Sequence, residues 1–199
     1  MFLLTKLFSF ALLIALFPLA VIPENVGPQR RMVIESFDEA DMPQNIRTWV
    51  HNILDFDQGI EIELVDHDAE NKAGGRSLAI HFDVDSSNPA MAGCWIRLKK
   101  QDLTEFDALH FSLKSGEGER FTGNVAVQLT DSGNRKAPYL IGGISDEWKE
   151  FRIPLKKFKR IADWSAVKEF EIVIDDINAR PKEGTLLIDE IYVTKDAVS

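Results

Sequence analysis

Beyond the first thirty residues, the chain alternates apolar and polar positions with a period of two. Leu78, Ile80, Phe82 and Val84 face one way; Ser77, Ala79, His81 and Asp83 face the other. The same alternation sets Cys94, Ile96 and Leu98 against Trp95, Arg97 and Lys99, and Leu109, Phe111 and Leu113 against His110, Ser112 and Lys114. It returns at Val125, Val127 and Leu129, at Phe151 and Ile153, and at Phe170, Ile172 and Ile174. Period two repeated this often predicts half-buried strands with one face on a core. Gly74-Gly75, Ser86 to Pro89, Gly116 to Gly118, Asp131 to Asn134 and Gly142-Gly143 punctuate the runs as turns. No amphipathic helix of ordinary length is legible. Short helical turns are expected around Pro43–Val50 and Asp163–Val167. Many short strands with almost no helix predict an all-β, two-sheet sandwich.

The start of the chain is different. Residues 1–22 are almost wholly apolar, with Lys6 the sole charge. A basic start before an apolar run reads as a secretory signal peptide. An uncleaved membrane anchor is the alternative, since about 20 apolar residues cross a bilayer. Either reading places the body of the chain outside the cytoplasm, periplasmic or extracellular. Pro23, Gly27 and Pro28 mark residues 23–31 as a linker, and residues 32–195 form the folded domain.

A net charge of −9 and a pI near 5.0 exclude nucleic acid as a natural partner, because such binding needs a basic footprint. The single cysteine, Cys94, excludes an internal disulfide, and its alternation turns it to the core as an inert thiol. His51, His67, His81 and His110 are scattered without zinc spacing, and no nucleophile elbow, phosphate loop or dinucleotide motif is present. The acid pairs Asp175-Asp176 and Asp55/Asp57 suit a solvated surface better than glycoside hydrolysis. The domain reads as non-catalytic.

Four segments follow a familiar order: Gly75-Arg-Ser-Leu78, Asp102-Leu-Thr-Glu-Phe-Asp-Ala-Leu109, Glu147-Trp-Lys-Glu-Phe-Arg-Ile-Pro-Leu155 and Leu187-Ile-Asp-Glu-Ile191. Glu35-Ser-Phe-Asp38 precedes them. The domain resembles the galactose-binding-like jelly rolls, especially family 11 carbohydrate-binding modules. It is similar, more distantly, to the complex I intermediate-associated protein family. The first resemblance implies a jelly roll that binds a polysaccharide or oligosaccharide; the second implies a protein-interaction or assembly module. The jelly-roll order puts 93–99, 168–175, 123–130 and 137–142 in one sheet. Its outer, concave face would then carry Trp95, Arg97, Asn124, Gln128, Tyr139, Glu171 and Asp175. Ring faces stack on sugars, and planar polar groups read hydroxyls, so this is the composition of a sugar cleft. Arg97 and Asp175 are expected to pair across it. Trp49, Trp148 and Trp164 are expected to plug loops and edges. The resemblance also implies a structural calcium held by Asp38 and Asp189, with backbone carbonyls from the loop ending at Gly74-Gly75.

Overall fold

The computed structural model describes residues 30–51, 57–66 and 75–196. Eleven strands are present among them: β1 (Arg30–Glu35), β2 (Ile46–Val50), β3 (Gly59–Asp66), β4 (Arg76–Asp83), β5 (Met91–Gln101), β6 (Ala108–Ser115), β7 (Asn124–Asp131), β8 (Lys136–Gly142), β9 (Lys149–Pro154), β10 (Val167–Asp175) and β11 (Glu183–Lys195). They pair antiparallel into two sheets. One runs β3-β4-β11-β6-β9 with β1 added on β11; the other runs β2-β5-β10-β7-β8. The expected jelly-roll order of β5, β10, β7 and β8 is therefore present, with β2 as a further edge strand.

The apolar stripes predicted from the alternation meet between the sheets. Phe111, Leu113, Val127, Ile153, Phe170 and Ile172 are all buried there. Phe111 stacks on Phe151 at 5.5 Å and meets Phe170 of the opposite sheet edge-on at 6.0 Å. Cys94 lies in the same core; burial, helped by the charge of Glu171, pushes its thiol up to about 12. That thiol stays protonated at neutral pH, as its position predicted.

Two local readings need correction. Pro43–Val50 is not a helical turn beyond its first residues, because Ile46–Val50 pairs with β5 as a strand. Its Ile46 and Val50 oppose Ile96 and Ala92 on the core side, leaving Arg47 and Trp49 outward. The second correction is the phase of β8. Tyr139 pairs with Val127 and packs against the core and Phe158, so it does not face outward. Pro138 and Leu140 take the outer positions instead. The turn expected near Asp163–Val167 is present as a 3₁₀ turn at Trp164–Ala166, capped by the Asp163 side chain.

Asp131 ties the end of the β7–β8 hairpin to a neighbouring segment. Its buried carboxylate accepts the Gly133 N–H at 2.9 Å, the Arg135 N–H at 3.0 Å, Arg135 Nε at 2.7 Å and the Ala162 N–H at 3.2 Å. Burial raises its pKa, but the bonds from Arg135 and Ala162 outweigh that and hold it at about 2. A depressed folded-state pKa gives stability that is full above the unfolded value and lost below it. Thermal stability should fall as pH drops from about 4, the unfolded carboxylate value, toward 2. Asp131→Asn should flatten that part of a Tm-against-pH curve. An unchanged curve would show that Asp131 does not carry the acid sensitivity.

Candidate functional site

The outer face of the β2-β5-β10-β7-β8 sheet is built by register. Arg47 of β2, Trp95 of β5, Glu171 of β10, Gln128 of β7 and Pro138 of β8 oppose one another in a row across the sheet. The next row holds Trp49, Gly93, Val173, Ala126 and Leu140. Chain segments more than 120 residues apart thus meet on one surface.

Glu171 is the hub of this face. Its residue is only 2% exposed, yet it lies on the outer side, because neighbouring side chains close over it. Trp49 Nε1 donates to one carboxylate oxygen at 2.5 Å. Gln128 Nε2 donates to the other, and Lys136 Nζ approaches that oxygen at 3.5 Å. A buried carboxylate needs such partners, since desolvating it alone is costly. The Lys136 ammonium also stands 6.0 Å from the centre of the Trp49 ring. Gly93 makes room for that ring: a methyl there would stand 2.6 Å from it. Trp95 is half-buried, with the Arg97 guanidinium 5.1 Å from its ring centre. Leu140, 53% exposed, adds apolar surface at the opposite edge.

The structure brings Trp95, Arg97, Gln128 and Glu171 together. Asn124 belongs to the same face but lies four residues from Gln128, at the far end of β7. Asp175 sits at that end too, opposite Met91 and six residues from Glu169, which opposes Arg97. At about 3.3 Å per residue, Arg97 and Asp175 are roughly 20 Å apart, so the expected pairing does not form. Asp175 instead caps a turn, accepting the N–H groups of Ile177 and Asn178 at 3.0 and 2.9 Å and the Asn178 side-chain amide. Trp49 and Lys136 were missed. The alternation Ile46, Thr48, Val50 against Arg47, Trp49 was the signal for Trp49. Trp148 carries Lys114 on its ring at 5.4 Å, and Trp164 lines a cavity of about 470 Å³ beside Arg152 and Pro154. On the other sheet, His110 is closed in by a stacked Tyr192 at 4.7 Å and by hydrogen bonds to Glu150 and Thr194.

Asp38 reaches the start of β4, and buried Asp189 of β11 accepts the Glu190 N–H at 2.6 Å. Asp38 accepts the Arg76 N–H at 3.4 Å. The β11–β4 ladder ends at Ile188 and Leu78, next in sequence to Asp189 and Ser77. Ser77 Oγ is buried without a hydrogen-bond partner, an oxygen that suits a hard cation. Among the described residues no group of three or more His, Cys, Asp or Glu side chains is placed to hold a metal. A calcium here would therefore draw on two carboxylates, a hydroxyl and main-chain carbonyls. Of the loop expected to give those carbonyls, Gly74 lies outside the described residues. Asp55, of the acid pair Asp55/Asp57, lies outside them as well.

Comparison with known proteins agrees with the fold. The fold is similar to a family 11 carbohydrate-binding module from Clostridium thermocellum, solved with a β-1,3-1,4-mixed-linked tetrasaccharide. The match has a TM-score of 0.63 at 12% identity and covers 85% of this chain and 98% of that one. It is also similar to part of an exo-β-agarase, with a TM-score of 0.65 at 13% identity, over 84% of this chain and 26% of that one. This chain therefore spans about a quarter of the agarase. No curated protein matches in sequence. The family model for carbohydrate binding domain 30 matches residues 44–195, which include every strand of the face just described. The chain is a carbohydrate-binding module and belongs to the carbohydrate binding domain 30 family.

Proposed function

We propose that this protein is an exported, non-catalytic module that holds a polysaccharide on the outer face of the β2-β5-β10-β7-β8 sheet. The observation that carries the reading is the pair of indoles, Trp49 and Trp95, set on that face around the Glu171–Gln128–Lys136 network. Aromatic rings beside fixed polar groups on an open surface are the marks of a ligand site. The Clostridium thermocellum module, solved with a β-1,3-1,4-mixed-linked tetrasaccharide, supports the same class. Export is supported by the apolar start of the chain, residues 1–22, which lies outside the described residues. The engagement of the acids supports the non-catalytic reading. Glycoside hydrolysis uses two opposed carboxylates about 5–9.5 Å apart. Here Glu171 is engaged by three side chains, and Asp175 caps a distant turn.

Electrophoresis through gels containing soluble polysaccharides tests the reading. Retardation in at least one, with no release of reducing sugar, is the expected outcome. Free migration in all of them, with a protein partner recovered from the exported fraction, would favour the assembly-module reading.

Calcium belongs to the same proposal. Asp38, Asp189 and Ser77 are the residues that would hold it, tying the first and last strands to β4. A chelator should then lower the Tm, as loss of a native-state ligand does. Asp189→Asn should remove that response. A chelator-insensitive Tm in the wild type discards the site.

A further inference from the structure

We propose that the bound polysaccharide is acidic, and that its anionic substituents lodge in a pocket at the Arg97 end of the face. The inference rests on the carbohydrate reading above and narrows it. The pocket measures about 200 Å³ and forms where the end of β5 meets Asn45 and β1. Arg97, Lys99, Asn45 and Gln101 line it beside apolar Val33, Ile34 and Leu98, and no aspartate or glutamate does. That is unusual ground in a chain of net charge −9.

The backbone of β5 is shaped to make it. Across the pairing of β5 with β10, the steps from Arg97 to Gln101 oppose only those from Glu169 to Val167, so β5 carries a bulge of two extra residues. Lys99 and Lys100 within it hold φ of 51° and 61°. Two successive non-glycine residues in the left-handed region are strained, and such strain clusters at functional sites. A bulge re-aims side chains at a sheet rim, and Lys99 of this one lines the pocket.

The cations nearby form no ion pair among the described residues, although Glu169 opposes Arg97 across the ladder. Arg97 lies over Trp95, and Arg47 donates to the carbonyls of Gln44 and Ile46 at 2.9 and 2.6 Å. The cavity beside Trp164 differs, since its Arg152 already pairs with Asp196 at 2.5 Å. A uronate carboxylate or a sulfate ester would accept hydrogen bonds from the Arg97 guanidinium and the Lys99 ammonium. Asn45 Nδ2 donates to the Arg97 carbonyl and Gln101 Nε2 to Met32 Sδ, both at 3.2 Å, which leaves their amide oxygens to accept from adjoining hydroxyls. Trp95 would take the sugar ring.

Calorimetry with matched polymers tests this. The probes are a polyuronate and its carboxyl-reduced form, and a sulfated galactan and its desulfated form. The expected result is binding to one acidic polymer about tenfold or more tighter than to its neutral counterpart, the size of one or two charge-assisted bonds. Whether the uronate or the sulfate arm responds identifies the anion. Arg97→Gln and Lys99→Gln should each weaken acidic binding about tenfold at unchanged Tm, and added salt should weaken wild type more than either variant. Equal affinity for acidic and neutral forms, or acidic binding indifferent to both variants, overturns the inference and leaves the carbohydrate reading standing. Binding to none of the four, nor to neutral glucans, overturns both.

Discussion

Trp95→Ala is expected to abolish polysaccharide retention while leaving the fold intact. The ring sits mid-row on the outer face, with Arg47 and Glu171 as its cross-strand neighbours and Arg97 upon it. It is half-buried and is absent from the apolar cluster between the sheets. Truncation therefore removes little that holds the sheets together. It does remove the surface on which a sugar ring would stack and the partner that orients the Arg97 guanidinium. Central aromatic anchors of this kind cost about 2 kcal/mol or more on truncation, roughly a thirtyfold loss of affinity. A retardation gel reads that as free migration, and a thermal melt run in parallel should move by no more than a degree or two. Retention equal to wild type would take the platform off this face.

Phe111→Ala should have the opposite profile, a large loss of stability wherever the ligand binds. Phe111 is fully buried and links three strands of two sheets through Phe151 and Phe170. Removing it forfeits transfer free energy and leaves a cavity that flanking strands, fixed by their own ladders, cannot close. The expected cost is about 3–5 kcal/mol, against a total stability of roughly 5–15 kcal/mol for a domain. The Tm should fall by roughly 6–20 °C in a protein of this size. A cost under about 1 kcal/mol would mean that the sheets are not locked at this layer.

The strands with clean alternation were legible because one of their faces must be dry. β4, β6, β7 and β10 carry branched or aromatic residues at alternate positions, as β5 does at Ile96 and Leu98, and a slip of one would turn their polar positions into the core. β8 has no such constraint. Ala137, Tyr139 and Ile141 compete with Pro138 and Leu140, so its phase is set by hydrogen bonding to β7 rather than by its own pattern. β2 is short and follows Pro43, which disguised five residues of good strand sequence as a turn.

The site was legible in its parts and not in its wiring. Trp95, Arg97, Gln128 and Glu171 followed from strand order and phase alone. That Glu171 would be sealed by Trp49 and Lys136 depends on which edge strands flank β5 and β7, a tertiary fact carried by no local pattern. The distance between Arg97 and Asp175 is likewise a matter of register, which alternation leaves open.

The pairing of β1 with β11 has a topological consequence. Arg30 and Lys195, at the two ends of the domain, are cross-strand partners, so their Cα atoms lie about 5 Å apart. The chain enters and leaves the sandwich at one point, on the sheet opposite the one that carries Trp95. A domain with adjacent ends can be spliced into a surface loop of another protein without stretching its host, or reopened elsewhere by circular permutation. Grafted that way, it would present its tryptophan-bearing sheet outward from whatever scaffold carries it.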